Sequence, residues 1–107
     1  MTAYDRGDLV LIAFPFASGA GAKQRPGLVV FDGGDSGTIV ASITTQPRTS
    51  RVNIPILEWK AAGLLAPSTA RLHKLATLEK ALVRRRLGRL HESDWAAAAK
   101  AVRGVFE

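Results

Sequence analysis

Arg6-Gly7-Asp8-Leu9-Val10-Leu11-Ile12 and Arg25-Pro26-Gly27-Leu28-Val29-Val30 are two short apolar runs, each entered through a cation and a glycine. Leu9 to Phe14, rich in Val, Leu and Ile and bounded by Asp8 and Pro15, reads as a buried strand. Ala17-Ser18-Gly19-Ala20-Gly21-Ala22 carries no packing side chains and reads as a mobile loop. Lys23 and Arg25 follow it directly, so a rigid strand aims a guanidinium at the mouth of a small β-domain. Arginine suits that position, because its planar fork binds phosphate oxygens bidentately and keeps its charge at any working pH.

Working outward, Leu28 to Phe31 is a second strand, Asp32-Gly33-Gly34-Asp35-Ser36-Gly37 a hairpin turn, and Thr38 to Ile43 a third strand. Arg51 to Ile56 reads as a fourth, confined to an edge by Pro55. Leu57 to Pro67 is mixed, with a single helical turn closing at Ala61-Ala62-Gly63. Thr69 to Leu78 alternates as a strand but slips near Leu75, which predicts a bulge or kink. Arg84 to Leu90 shows no clear periodicity. Trp95, Ala98, Ala99, Val102 and Phe106 fall on one face of a C-terminal helix, with Glu92, Ser93 and Asp94 at its positive end. Several short strands followed by one amphipathic helix predict a mainly β fold, a small partly open barrel capped by a helix. The whole chain, 1–107, reads as one domain without repeats or linkers.

Composition narrows the function. The apolar fraction of 47% and charged fraction of 22% are those of an ordinary folded domain. The longest apolar runs, such as Leu9 to Phe14 and Ala96 to Ala99, are too short to cross a bilayer. No basic start is followed by a long apolar stretch, so no secretory leader is expected and the expected compartment is the cytoplasm. Without cysteine the chain holds neither a disulfide nor a thiolate zinc site, and two isolated histidines do not suggest a metal centre. Fifteen Lys and Arg against nine Asp and Glu leave a net charge of +6, which favours a polyanionic partner without naming it.

Five pieces then occur in order: Arg6-Gly7-Asp8-Leu9-Val10, Lys23-Gln24-Arg25-Pro26-Gly27-Leu28-Val29-Val30, Ile43-Thr44-Thr45-Gln46, Pro67-Ser68-Thr69-Ala70-Arg71-Leu72 and Leu87-Gly88-Arg89-Leu90. In this order and in so short a chain they resemble the PemK/MazF family, the ribosome-independent endoribonuclease toxins of bacterial toxin–antitoxin pairs. The resemblance implies an SH3-like barrel and metal-independent, sequence-specific cleavage of single-stranded RNA. That cleavage needs no cofactor and leaves a 2′,3′-cyclic phosphate. It also implies a homodimer silenced by a cognate acidic antitoxin.

RNA cleavage by its own 2′-hydroxyl needs a base, an acid and cations for the charge developing on phosphate, and no protein nucleophile. By resemblance, Arg25 is the catalytic arginine at the scissile phosphate, and Thr44 matches the family's strand-end hydroxyl. Thr45, its neighbour, points the other way in a regular strand. Arg71 and His73, two apart, share a face of a regular strand. In some relatives that pair is arginine and aspartate, so His73 is a departure, an imidazole able to move protons near neutrality. No histidine stands between Ala17 and Ala22, where some relatives carry one. Lys23, Gln24, Thr45, Arg48 and Arg86 are the expected RNA contacts around this set. The run Arg84-Arg85-Arg86 with Arg89 reads equally as an RNA strip, a solvated face or a dimer edge. Trp59 and Phe16 read as core or interface aromatics or as platforms for an unpaired base. Two other functions stay open: a gyrase-inhibitor-like poison on the same fold, and an inactive module binding only RNA or antitoxin.

Overall fold

Alternation along three strands gives the fold two apolar faces. The structure, a computed structural model, describes residues 3–15 and 22–107. In β1 (Asp8–Pro15) Leu9 joins one buried cluster, while Val10 and Ile12 join a second. β2 (Ala22–Asp32) divides in the same way between Leu28 and Val29, and β3 (Gly37–Thr44) between Ala41 with Ile43 and Val40. Strands covered on both sides read as continuous apolar runs, as these do.

With β4 (Asn53–Ile56), β5 (Ser68–Glu79) and β6 (Val83–Arg89), these strands form one six-stranded antiparallel sheet in the order β4-β5-β3-β2-β1-β6. The sheet is not closed. The C-terminal helix α1 (Glu92–Val105) lays Ala98 and Ala101 on the larger cluster, beside Ile56, Ala70 and Leu72. Tyr4, Leu78, Leu82 and Val83 cover the smaller cluster. The fold is thus mainly β with a C-terminal helix, as expected.

Local differences have physical causes. β2 begins at Ala22 rather than Leu28, so Lys23 and Arg25 are strand residues paired with Phe14 and Ile12. The remainder of the expected loop, Ala17 to Gly21, and Phe16 lie outside the described residues. The slip near Leu75 is a bulge: Ser42 pairs with Arg71 and Ala41 with Leu75, leaving Leu72, His73 and Lys74 without partners in that ladder. Arg84 to Arg89, which showed no period, belongs to β6, whose own register against β1 shifts twice. Phe106 does not share the helix's buried face. Asp94, Ala98 and Ala101 are that face's buried residues, and Phe106 is 75% exposed just past the last turn.

Three inward carboxylates pin the parts together. Asp8 in β1 accepts from the Asp5 N–H at 2.9 Å and pairs with Arg86 of β6 at 2.8 Å. Asp32 at the end of β2 pairs with Lys80 at 2.8 Å and accepts from the N–H groups of Tyr4 and Gly34. Asp94 in the first turn of α1 accepts from the N–H groups of Leu57 and Glu58, fastening the 57–63 turn to the helix. That turn also presses on β6. A Cβ on Gly88 would overlap the Ala62 carbonyl oxygen, and one on Gly63 the Leu87 carbonyl oxygen. Gly63 has a φ of +94° besides.

Two measurements check this account. Gly88→Ala forces backbone against backbone, where no rotamer relieves the clash. We expect it to lower stability by about 1–3 kcal/mol or more in denaturant unfolding, with unchanged activity of the fraction still folded. The hydrogen bond from Lys80 holds the Asp32 carboxyl down from its ordinary 3.8 to about 2, helped by the Tyr4 and Gly34 N–H groups and the Lys80 charge against a smaller cost of burial. A depressed carboxyl contributes stability that is complete above its unfolded pKa and is lost as pH falls through the folded value. Asp32→Asn is therefore expected to remove part of the stability loss that the wild type shows between pH of about 4 and about 2 in thermal melts.

Candidate active site

Cross-strand partners lie on one side of a sheet, and residues two apart along a strand share that side. Gly27 pairs with Ser42, Ser42 with Arg71, and Arg71 with Asn53, so these four form one row across β2, β3, β5 and β4. In the next row toward the strand ends, Ile12 pairs with Arg25 and Thr44 with Thr69. The β2–β3 ladder ends at Gly27 and Ser42, and Arg25 and Thr44 each stand two residues beyond it on their own strands. Arg25, Thr44 and Arg71 therefore come to the same side of the sheet. It is the side of the smaller apolar cluster, whose last β3 member, Val40, lies two residues before Ser42. There the face changes from apolar to polar.

An open cleft of about 430 Å³ occupies this transition, with Arg25, Ser42 and Lys74 over a floor of Ile12, Gly27 and Val40. Gly27 keeps it open, since a Cβ there would stand 2.6 Å from the Ile12 Cδ1. Arg25 is exposed and has no carboxylate partner among the described residues. Its guanidinium is free for an anion.

Arg71 and Thr44 share this side of the sheet without lining the cleft, and both are oriented by hydrogen bonds. Arg71, half-buried, donates through Nε to the Asn53 Oδ1 at 3.2 Å, and Asn53 in turn donates to the Ser50 Oγ at 2.8 Å. This use of Nε leaves the terminal nitrogens of the guanidinium available. The Thr44 Oγ1 accepts from the Gln46 N–H at 3.1 Å. A hydroxyl has one proton to donate, so Thr44 keeps that proton for a ligand.

Arg71 and His73 do not follow the regular alternation the sequence suggested, because the bulge falls between them. Leu72 and Leu75 pack toward the larger cluster, whereas Lys74 and Ala76 line the cleft. His73 is exposed and does not line the cleft that holds Arg25. The three unpaired residues put Ala76 opposite Val40, where a regular strand would have put His73, and bring Lys74 to the cleft.

The outer set divides further. Lys23 and Gln24 are exposed on β2 beside Arg25. Thr45 lines a different cleft, with Arg85, Pro26 and Leu87, on the other side of the sheet. Arg48 is exposed and donates to the Gln46 Oε1 at 3.2 Å. Arg86 serves the fold, through its ion pair with buried Asp8 and its position 5.9 Å over the Tyr4 ring. Trp59 packs against the larger cluster while remaining partly exposed. Ser42, Asn53 and Lys74 were not singled out from the sequence. Ser42 was within reach as the residue two before Thr44, but Lys74 needed the bulge. Among the described residues no three His, Asp or Glu side chains converge as metal ligands, and no helix is long and apolar enough to cross a membrane.

Residues 5–106 match the model of a family described as the PemK-like, MazF-like toxins of type II toxin-antitoxin systems. The chain belongs to this PemK/MazF-like family. Among solved structures, a mycobacterial endoribonuclease in complex with its cognate antitoxin superposes with a TM-score of 0.78 at 18% identity, covering 97% of this chain and 95% of that one. A MazE-MazF structure from Deinococcus radiodurans gives 0.81 at 15% identity, covering 99% and 97%. Mycobacterium tuberculosis toxin MazF-mt6 gives 0.72 at 24% identity, covering 91% and 95%. At these identities the likeness is one of fold. No curated protein is similar enough in sequence to match.

Arg25 and Lys74 are the two cations lining this cleft among the described residues. Replacing either by Ala is expected to weaken binding of an unstructured oligonucleotide. Each lost phosphate contact lowers the slope of log affinity against log salt by about 0.7 for a single strand. Fluorescence anisotropy across a salt series measures it, and Arg86→Gln should leave the slope closer to that of wild type.

Proposed function

We propose that this protein is the endoribonuclease toxin of a toxin–antitoxin pair, cutting single-stranded messenger RNA at a short sequence without a metal or cofactor. The observation that carries this reading is the convergence of Arg25, Thr44 and Arg71 on one face, with Arg25 unpaired among the described residues, in a chain of this family. The 2′-hydroxyl beside the scissile phosphate gives its proton to solvent water and attacks phosphorus, the P–O5′ bond breaks and the 5′-oxygen takes up a proton, and the products carry a 2′,3′-cyclic phosphate and a 5′-hydroxyl. Arg25 binds the non-bridging oxygens as their charge grows, Thr44 donates its proton to one of them, and Arg71 adds charge from the neighbouring row. Lys74, whose ammonium has three donors and which lines the same cleft as Arg25, supplies the proton to the leaving 5′-oxygen. His73 acts as base only if bound RNA draws the bulge inward.

The active form is a homodimer in the cytoplasm, and a cognate antitoxin with an acidic, disordered tail blocks it by lying in the cleft. The net charge of +6 and the exposed apolar residues Phe31, Leu57, Leu65 and Phe106 support these partners. One observation favours a second reading, a non-catalytic module on the same fold: the expected proton acceptor, His73, is not in the cleft.

Purified protein incubated in EDTA with a long single-stranded RNA decides between the two. Discrete products with cyclic phosphate ends support the enzyme, and a substrate with hydrogen in place of the 2′-hydroxyl at the cut should resist completely. Uncut RNA, or a cut deoxy substrate, ends the proposal. Arg25→Ala should cost roughly 100-fold or more in rate with the fold intact, and Arg25→Lys should recover little of it. Lys74→Ala should reduce the rate more than His73→Ala does. The reverse order would return the proton-transfer role to the histidine.

A further inference from the structure

A second cleft, of about 330 Å³, lies between the β3–β4 connection, the start of the 57–63 turn and the entry to β5. We propose that it is the slot for one unpaired RNA base next to the scissile phosphate, with Trp59 as the stacking surface and Arg48 as the group that selects the base. This rests on the ribonuclease reading and names the part of the substrate that the Arg25 cleft leaves unbound.

Four observations carry it. Trp59 lines the cleft while its other side packs on the larger apolar cluster, so its ring is held before any ligand arrives. Its indole N–H has no partner among the described residues. Three of the chain's five prolines, Pro47, Pro55 and Pro67, form the walls, and their fixed φ values make a rigid slot. Among the described residues the cleft's one charged lining residue is Arg48, whose guanidinium presents both a flat face and a fork of donors to a base edge.

The position fits as well as the chemistry. Thr69 lines the slot and is the direct strand partner of Thr44. On the other side, Thr44 connects to Arg48 through Gln46, whose N–H donates to the Thr44 Oγ1 and whose Oε1 accepts from Arg48. A nucleotide whose phosphate touches Thr44 therefore has its base within reach of Trp59. An acidic peptide suits the slot less well, because a single cation opposes it and the remaining walls are uncharged.

The test has a binding arm and a kinetic arm. Protein labelled with 5-fluorotryptophan gives two fluorine signals, and Trp59→Phe assigns them. An uncleavable 2′-deoxy oligonucleotide with the bases of the mapped cut site should shift the Trp59 signal, while inorganic polyphosphate should not. A shift with polyphosphate alone, or with an acidic peptide and not the oligonucleotide, overturns the proposal. In the kinetic arm, an abasic nucleotide beside the cut should lower wild-type kcat/KM by about tenfold, typical of one lost base–aromatic stack. Trp59→Leu should lower cleavage of the intact RNA by a similar factor and make the abasic change harmless, while Trp59→Phe stays near wild type. Effects of Trp59→Leu and the abasic change that multiply overturn it. A wild type that binds oligonucleotide with the Trp59 shift yet cuts nothing sinks the enzyme reading and leaves the slot standing.

Discussion

The sheet of this protein has to be buried on both sides, and the rest of the molecule follows from that demand. Burying a Leu, Ile or Val side chain is worth about 1.5–3 kcal/mol, against about 0–1 kcal/mol for an exposed ion pair, so the two apolar clusters dominate the energetics. The helix covers one side, with Ala98 and Ala101 against Leu9, Leu28 and Leu72. On the other side, among the described residues, Tyr4, Leu78, Leu82 and Val83 cover Val10, Ile12, Val29 and Val40. That cover stops before the strands do. Beyond it the same face continues as Ser42, Arg25, Thr44 and Arg71, polar groups standing on a scaffold as rigid as the core beneath them.

The buried carboxylates do a different job. Asp8, Asp32 and Asp94 add little net stability by analogy with other enclosed charges, but each is satisfied by named donors and each joins segments distant in the chain. They fix register and angle, which the apolar clusters leave loosely determined. Removing a partner would leave an enclosed charge unpaired, so the arrangement is far more sensitive to loss than its formation energy suggests.

What could be read from the sequence follows the same division. β1 and β3 were legible because uninterrupted apolar runs between turn residues have few other readings, and Pro55 placed β4 at an edge. β6 was not, because consecutive arginines occupy both its sides and its register against β1 shifts twice, which destroys the period of two. The relation of Arg71 to His73 was lost for a similar reason: alternation predicts sides only while the ladder is unbroken, and three residues of β5 stand outside it. Phe106 keeps the helical spacing of Trp95 and Val102, but spacing cannot say where the helix runs past the core. Arg25 was legible from its place before an apolar run. The burial of Asp8, which turns Arg86 inward in purpose, has no signature in the sequence.

An open sheet has two rims, and here they are β4 and β6. Each rim exposes unpaired backbone groups that invite a further strand from another molecule. β4 is four residues long and carries a proline, which cannot donate to an incoming strand. β6 is longer but carries Arg84 and Arg85, which have no carboxylate partner among the described residues, so a second copy approaching it rim to rim brings like charges together. The arginine run thereby guards the molecule against self-templated aggregation, which matters most for a newly made chain still exposing its strands. Neutralising those charges would trade solubility for adhesion.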